Sequence, residues 1–403
     1  MGSVAGTILS PLVDGVRFEE RGTLHWRSGV LVSEAAHGAD PETVPDLGRD
    51  GLLLIPGLVD VHIHLPQFRV RGQFQDSLLP WLRESIWPEE ARFTEETYRR
   101  AVSAEFRDGL IGAGTTAALV YGSPHPESAF SVLEDLRPLT ARGGDVLMDR
   151  NSPEDLVRPT AQALEQCREH AERWGERYAL TPRFVPTCTR ELLSGLGQIM
   201  RSHRVLAQSH VAENLDEVAW VAELHPEARS YLDVYDRAGL LGPRTVLGHG
   251  IHLDEADLER LRATGTWIAH CPTSNIALGS GRMPYEAMAG VPIALGTDVG
   301  AGPDISMLDV IASFLAVQRD APGVTPLLGL RLATLQGARA MGEGGARGSL
   351  AAGRAADVVA LRIPGGLRRS ESGDDVLARV LDEFAGRWTE AIAAVWIAGE
   401  RLA

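Results

Sequence analysis

The stretch PGLVDVHIHLPQ, residues 56–67, decides the reading of this chain. An apolar run bounded by Pro and Gly reads as a buried strand. His62 and His64 interrupt it near its end. On a strand, residues i and i+2 point to the same face. The two imidazoles therefore project together, from the place where a strand stops and a loop begins.

Working outward, short β-rich runs alternate with longer amphipathic segments. The expected strands are 59–64, 115–122, 144–150, 177–184, 205–213, 245–252, 267–275 and 292–299. Helical patterns fall between them, as at 88–108, 153–174, 217–222 and 254–263. Strands alternating with helices argue for a parallel sheet, and eight such units argue for a closed (β/α)8 barrel of the TIM type. The two ends read differently. Residues before about 55, and the runs SLAAGRAADVVALRI and AAVWIAGERLA near the other end, are β-rich. They predict one small β-sandwich domain built from both ends. The expected division is 1–56 for its first part, 57–345 for the barrel and 346–403 for its second part.

The formal charge of −15 and the pI near 5.3 argue against nucleic acid or an anionic membrane as partner. Three scattered cysteines, Cys167, Cys188 and Cys271, fit a reducing cytoplasm without a disulfide framework. No signal peptide or membrane span is expected. All 39 basic residues are arginine; the sequence contains no lysine.

In a barrel of this type the chemistry sits at the C-terminal ends of the strands. Titratable residues collect there. The first strand ends in His62 and His64, the fourth in Arg183-Phe184, and the fifth in SHVAEN with His210 and Glu213. The sixth ends in GHGIHL with His249 and His252, the seventh holds His270, and the eighth ends in GTD with Asp298. Imidazole and carboxylate ligands suit one divalent metal, zinc or ferrous iron. An ion with an open position would activate water at neutral pH. His252 would point away from His249 on a strand, so His249 is the inward residue. His125 and His270 are left open as site residues. His25, His37, His170, His203 and His225 read as solvated or locally bonded. Glu213 could shuttle protons or simply favour a helix start.

The combination of PGLVDVHIH, the later strand-end His residues, GTD and the split β domain resembles the amidohydrolase superfamily, over nearly the whole chain. That resemblance implies His62, His64, His210 and Asp298 as metal ligands, with His249 positioning the attacking water. Two-metal members commonly bridge their ions with a carboxylated lysine, which this sequence cannot supply. The one-metal deaminase branch is the better match, and Glu213 fits its H-x-x-E element. Within it, HIHLPQ, LPWLRESIWPEEARF, TPRF, SHVAEN and HCPTSN resemble the guanine deaminase family. The Pro303-Asp304 pair departs from that family's pattern.

What the resemblance implies is hydrolytic attack at C2 of guanine, giving xanthine and ammonia, by a cytoplasmic homodimer with one zinc or iron ion per chain. Asp298, Glu213 and His249 would be catalytic. Arg183 and Gln67 would read the carbonyl and lactam edge, with Phe184, Trp81, Leu82 and His210 around the ring. Residues 73–84 and 299–305 are candidate lids. Other amino-heterocycles (a pterin, an S-adenosylhomocysteine-like nucleoside, a triazine) are alternative substrates, and a silent scaffold is the non-enzymatic alternative.

Overall fold

A computed structural model describes residues 1–33, 51–74 and 78–403. Expectations falling on His37 and on residues 75–77 of the first candidate lid lie outside the described residues. Contacts divide the chain into two compact units, one of 1–60, 108–117 and 305–403, the other of 61–107 and 118–304.

The N-terminal strands are β1 (Gly2–Leu12), β2 (Gly15–Arg27), β3 (Val30–Val32) and β4 (Leu52–Pro56). The barrel strands follow: β5 (Leu58–His64), β6 (Thr115–Tyr121), β7 (Thr140–Gly144), β8 (Val146–Leu147), β9 (Ala179–Pro182), β10 (Leu206–Val211), β11 (Thr245–His249), β12 (Trp267–His270) and β13 (Ile293–Leu295). The chain ends with β14 (Val358–Arg362), β15 (Ile392–Ile397) and β16 (Glu400–Arg401).

In the first unit, seven strands form one sheet in the order β16-β15-β14-β4-β1-β2-β3. β4 pairs parallel with β1 and antiparallel with β14, so the two ends of the sequence meet across it. Trp26 on β2 and Trp396 on β15 stand four strand positions apart. In a flat sheet that is about 19 Å at ~4.8 Å per strand. Their rings are 6.3 Å apart, so the sheet curls on itself. Val4, Ile8, Leu54, Val358 and Ala360 fill the inside of the curl, all fully buried. This is the small β domain expected from the two ends.

The barrel strands form two parallel runs, β5-β6-β7 and β8 through β13. β7 and β8 are two pieces of one strand, broken at Asp145. The ring closes where the loop after β13 meets β5: Asp298 N–H donates to His62 O, and His64 N–H donates to Val299 O, both at 2.8 Å. The molecule is therefore a (β/α)8 barrel carrying a small β domain. Several expectations differ in detail: the helix expected over 153–174 begins at Thr160 and the eighth strand is only Ile293–Leu295. The third strand begins at Thr140, not 144. Its break follows from Asp145, a buried carboxylate that accepts from Arg158 Nη1, Tyr178 Oη and the His170 ring, and so cannot face an apolar layer. The seventh strand stops at His270, and Pro272–Ala277 is a helix with Pro272 in its first turn, where the missing N–H costs nothing. The long helix expected over 88–108 is interrupted, its main part being Glu96–Gly112.

Candidate active site

Each metal-type side chain sits where a barrel strand ends. His62 and His64 share one face of β5, as period two requires, and both are buried. His210 lies on β10, His249 closes β11, and Asp298 follows β13 by three residues. Two of these positions are conformationally unusual. His249 has φ 71° and Asp298 has φ 52°, the left-handed region that non-glycine residues rarely adopt. Such backbone is held only where its surroundings over-determine it, which is common at functional sites.

The side chains converge. His62 Nε2 and His64 Nε2 lie 3.3 and 3.2 Å from Asp298 Oδ1. His210 Nε2 lies 3.3 Å from His64 Nε2. One ligand atom from each of the four residues falls within 4.8 Å of all the others. A tetrahedral ion with bonds of about 2.0–2.1 Å sets its ligand atoms about 3.3 Å apart. The donor set and its spacing thus fit one divalent cation. The tautomer also fits: His210 Nδ1–H donates to the Arg183 carbonyl at 2.6 Å, leaving Nε2 to present a lone pair inward.

Burial dominates the electrostatics. It lowers the pKa of His62, brings His64 down to about 3, and puts His210 well below its usual value, so all three rings are neutral and ready to ligate. Burial pushes the Asp298 carboxyl up, but its contacts with His62 and His64 outweigh this and hold it well below the carboxylate range. Glu213 goes the other way: burial lifts it to about 7. Its Oε1 accepts from Ser280 Oγ at 3.0 Å and its Oε2 lies 3.5 Å from His249 Nε2. On His249, burial opposes the charge, and Glu213 and Asp298 more than offset it. Its Nδ1–H donates to Asn275 Oδ1 at 2.9 Å, which aims Nε2 at Glu213 and Asp298.

A pocket opens beside this cluster. Its lining includes His64, His210, Glu213 and Asp298 from the cluster, together with Gln67, Arg183, Phe184, Trp81, Leu82 and Ala301. Every substrate-type residue expected from the sequence lies on it. His125 and His270 are absent from its lining. The second candidate lid contributes Ala301. The strand ends at His249, and His252 turns away to donate to the Ser280 carbonyl.

Sequence reasoning missed three residues. Glu90 is fully buried and accepts from Arg183 Nη1 with both carboxylate oxygens, at 2.6 and 2.8 Å. It also accepts from Gln67 Nε2 at 3.1 Å. Gln67 and Arg183 are therefore already partly engaged before any ligand arrives. Glu217 lines the pocket and accepts from the Glu213 and Asn214 backbone N–H groups, which fixes the turn carrying Glu213. Asn275 orients His249. For Asn275 the motif HCPTSN was a signal. For Glu90 there was only an acid in PEEARF, indistinguishable from a helix-start residue.

The amidohydrolase family profile matches residues 53–402, and the chain belongs to that family. Several of the proteins it is similar to are guanine deaminases. It is 35% identical to the guanine deaminase of Escherichia coli strain K12 over 374 residues, 89% of this chain and 85% of that one. It is 38% identical to the probable guanine deaminase of Deinococcus radiodurans, over 92% of this chain and 87% of that one. The E. coli guanine deaminase structure superimposes with a TM-score of 0.91 at 32% identity, covering 100% and 99% of the two chains. A guanine deaminase from C. acetobutylicum, solved with guanine in its active site, matches with a TM-score of 0.88 at 27% identity, covering 100% of both.

Proposed function

We propose that this chain deaminates guanine to xanthine and ammonia. The observation that carries the reading is one pocket that joins a water-activating cluster to a corner built for a lactam. His62, His64, His210 and Asp298 would hold one divalent ion, with zinc and ferrous iron both suited to the donors. When bound, such an ion supplies the acidity that makes water a nucleophile near neutral pH.

The chain's own groups account for the rest. Arg183 retains Nε–H and the Nη2 donors, which make no hydrogen bond among the described residues and suit a carbonyl oxygen. Gln67 keeps one N–H and one lone pair, since Gly300 N–H donates to its Oε1 at 3.1 Å. Phe184, Trp81 and Leu82 supply apolar cover for the ring faces and exclude water. Water adds at C2 while its proton passes to Asp298 or Glu213. That proton passes through Glu213 to ring N3, and the remaining hydroxyl proton at C2 then passes by the same carboxylates to the amine, so that the C2 carbonyl forms as the C2–N bond breaks and ammonia departs. A group poised near pH 7 suits this work, because it both takes and gives a proton at little cost.

We further propose a homodimer in the cytoplasm, and residues 57–345 as the catalytic part, with 1–56 and 346–403 as the β domain. Among the described residues no helix is long and apolar enough to cross a membrane. The test of function is chromatographic. Metal-replete protein is incubated with guanine, guanosine, adenine, cytosine and a pterin, and each product is followed with ammonia. Xanthine from guanine is the expected result. Turnover of another ring with guanine untouched would overturn the substrate and leave the hydrolytic chemistry.

A further inference from the structure

Arg183 and Glu90 form an ion pair whose side chains are 4% and 0% exposed. Gln67, also buried, joins them through Nε2. The orientation of the Gln67 amide is not arbitrary. The Glu90 carboxylate can only accept and Gly300 N–H can only donate, so Nε2 must face Glu90 and Oε1 must face Gly300. One residue from the loops after β5, one from Trp87–Ala91 and one just beyond β9 are thus locked together through a single carboxylate. Glu90 itself is absent from the pocket lining. Its work is done through its neighbours.

We propose that Glu90 is a positioning residue that holds the ring-binding corner at zero net charge, so that the pocket favours neutral rings and rejects anionic ones. The proposal rests on the reading above and deepens it. Both oxygens of Glu90 accept from Arg183 Nη1, which anchors that edge of the guanidinium and leaves Nε and Nη2 for a ligand. The formal charge on that guanidinium is cancelled inside a buried site, where an uncompensated charge acts far more strongly than in water. Guanine is neutral at physiological pH. Xanthine is a stronger acid and ionises partly near neutrality, by loss of a ring proton. A corner of zero charge therefore binds the substrate through shape and donors, and lets the ionised product go. An unpaired arginine in the same place would hold that product by a charge-assisted bond.

The test compares two rings of nearly the same outline at pH 6.5. Xanthine is mainly neutral there. In 8-azaxanthine a nitrogen replaces C8–H, and the ring is anionic. Each is measured as a competitive inhibitor of guanine turnover by metal-loaded protein. The wild type is expected to bind xanthine at least about tenfold more tightly, the scale of one charge-assisted hydrogen bond. In E90Q the preference should shift at least about tenfold toward 8-azaxanthine, with KM for guanine raised more than kcat is lowered. E90D keeps the charge but not the reach, so it should restore the neutral preference while KM stays high. An unchanged inhibitor ratio in folded E90Q would overturn the proposal. Should E90Q fail to fold, the wild-type ratio decides: equal binding of the two rings overturns it. A wild type that leaves guanine unchanged is a different failure, that of the substrate itself.

Discussion

Glu213 is the side chain on which the proposed chemistry turns, and it can be tested without disturbing the metal cluster. Its substitution by Gln keeps the shape and removes the exchangeable proton. Turnover should fall by at least about 10²-fold, the usual worth of a positioned acid–base group, with metal content unchanged by elemental analysis. The pH profile is more informative. The ionised carboxylate is the form that accepts a proton, so kcat/KM should fall as pH drops through about 7. Ser280 donates to that carboxylate and pulls its pKa down. In S280A the pKa should rise further, moving the acid limb to higher pH by roughly half a unit to one unit. Constancy of the limb would remove Glu213 from the rate-limiting proton transfer. At this scale the sequence was legible where a residue type and a strand end coincide, as for His62, His64, His210 and Asp298. It was not legible for Glu90, whose partners are 23 and 93 residues away. No local spacing announces a contact of that kind.

At the level of single strands, the metal cluster depends on what is missing around it. A Cβ at Gly248 on β11 would fall 2.5 Å from the His62 ring, and one at Gly296 just after β13 would fall 2.7 Å from His62 Cβ. Both strands must be bare there for His62 to reach its place. G248A should leave the barrel folded by circular dichroism and weaken metal retention at least about tenfold against a competing chelator, because ligand orientation is what is lost. The broken third strand makes a different prediction. Burial pushes Asp145 up, but His170 and Arg158 outweigh it, so its pKa is lowered from 3.8. A depressed carboxylate contributes stability that is present above its unfolded pKa and lost as pH falls through its folded one. D145N should cost about 3–5 kcal/mol, because Arg158 loses its buried partner. Urea midpoints at neutral pH check this, and the gap between mutant and wild type should narrow well below pH 3.8. The strand pattern itself was readable, since most boundaries fall close to those expected. The break was not, because nothing in the sequence marks Asp145, read as part of the strand 144–150, as a carboxylate enclosed by Arg158, His170 and Tyr178.

For the whole molecule, the lack of lysine separates it from enzymes that need a carboxylated lysine between two ions. Chelation should abolish turnover and lower the thermal midpoint. Zinc or ferrous iron alone should restore both, with no requirement for bicarbonate, and one ion per chain should suffice. A dependence on bicarbonate, or a need for two ions, would contradict a one-ion site. The class of fold was legible at this scale because eight repeats of one pattern outvote any single misplaced boundary. The curl of the small sheet was not, since it depends on which strands become neighbours across the full length of the sequence. That topology also sets a timetable for synthesis. β4 carries Leu52, Leu53, Leu54 and Ile55, all buried in the finished sheet. Its neighbour β1 precedes it in the chain, but its other neighbour, β14, begins only at Val358. While the ribosome makes everything between, a greasy strand edge stands half-paired, the kind of surface that recruits chaperones or other nascent chains. A cell making this protein must shelter that edge through most of translation.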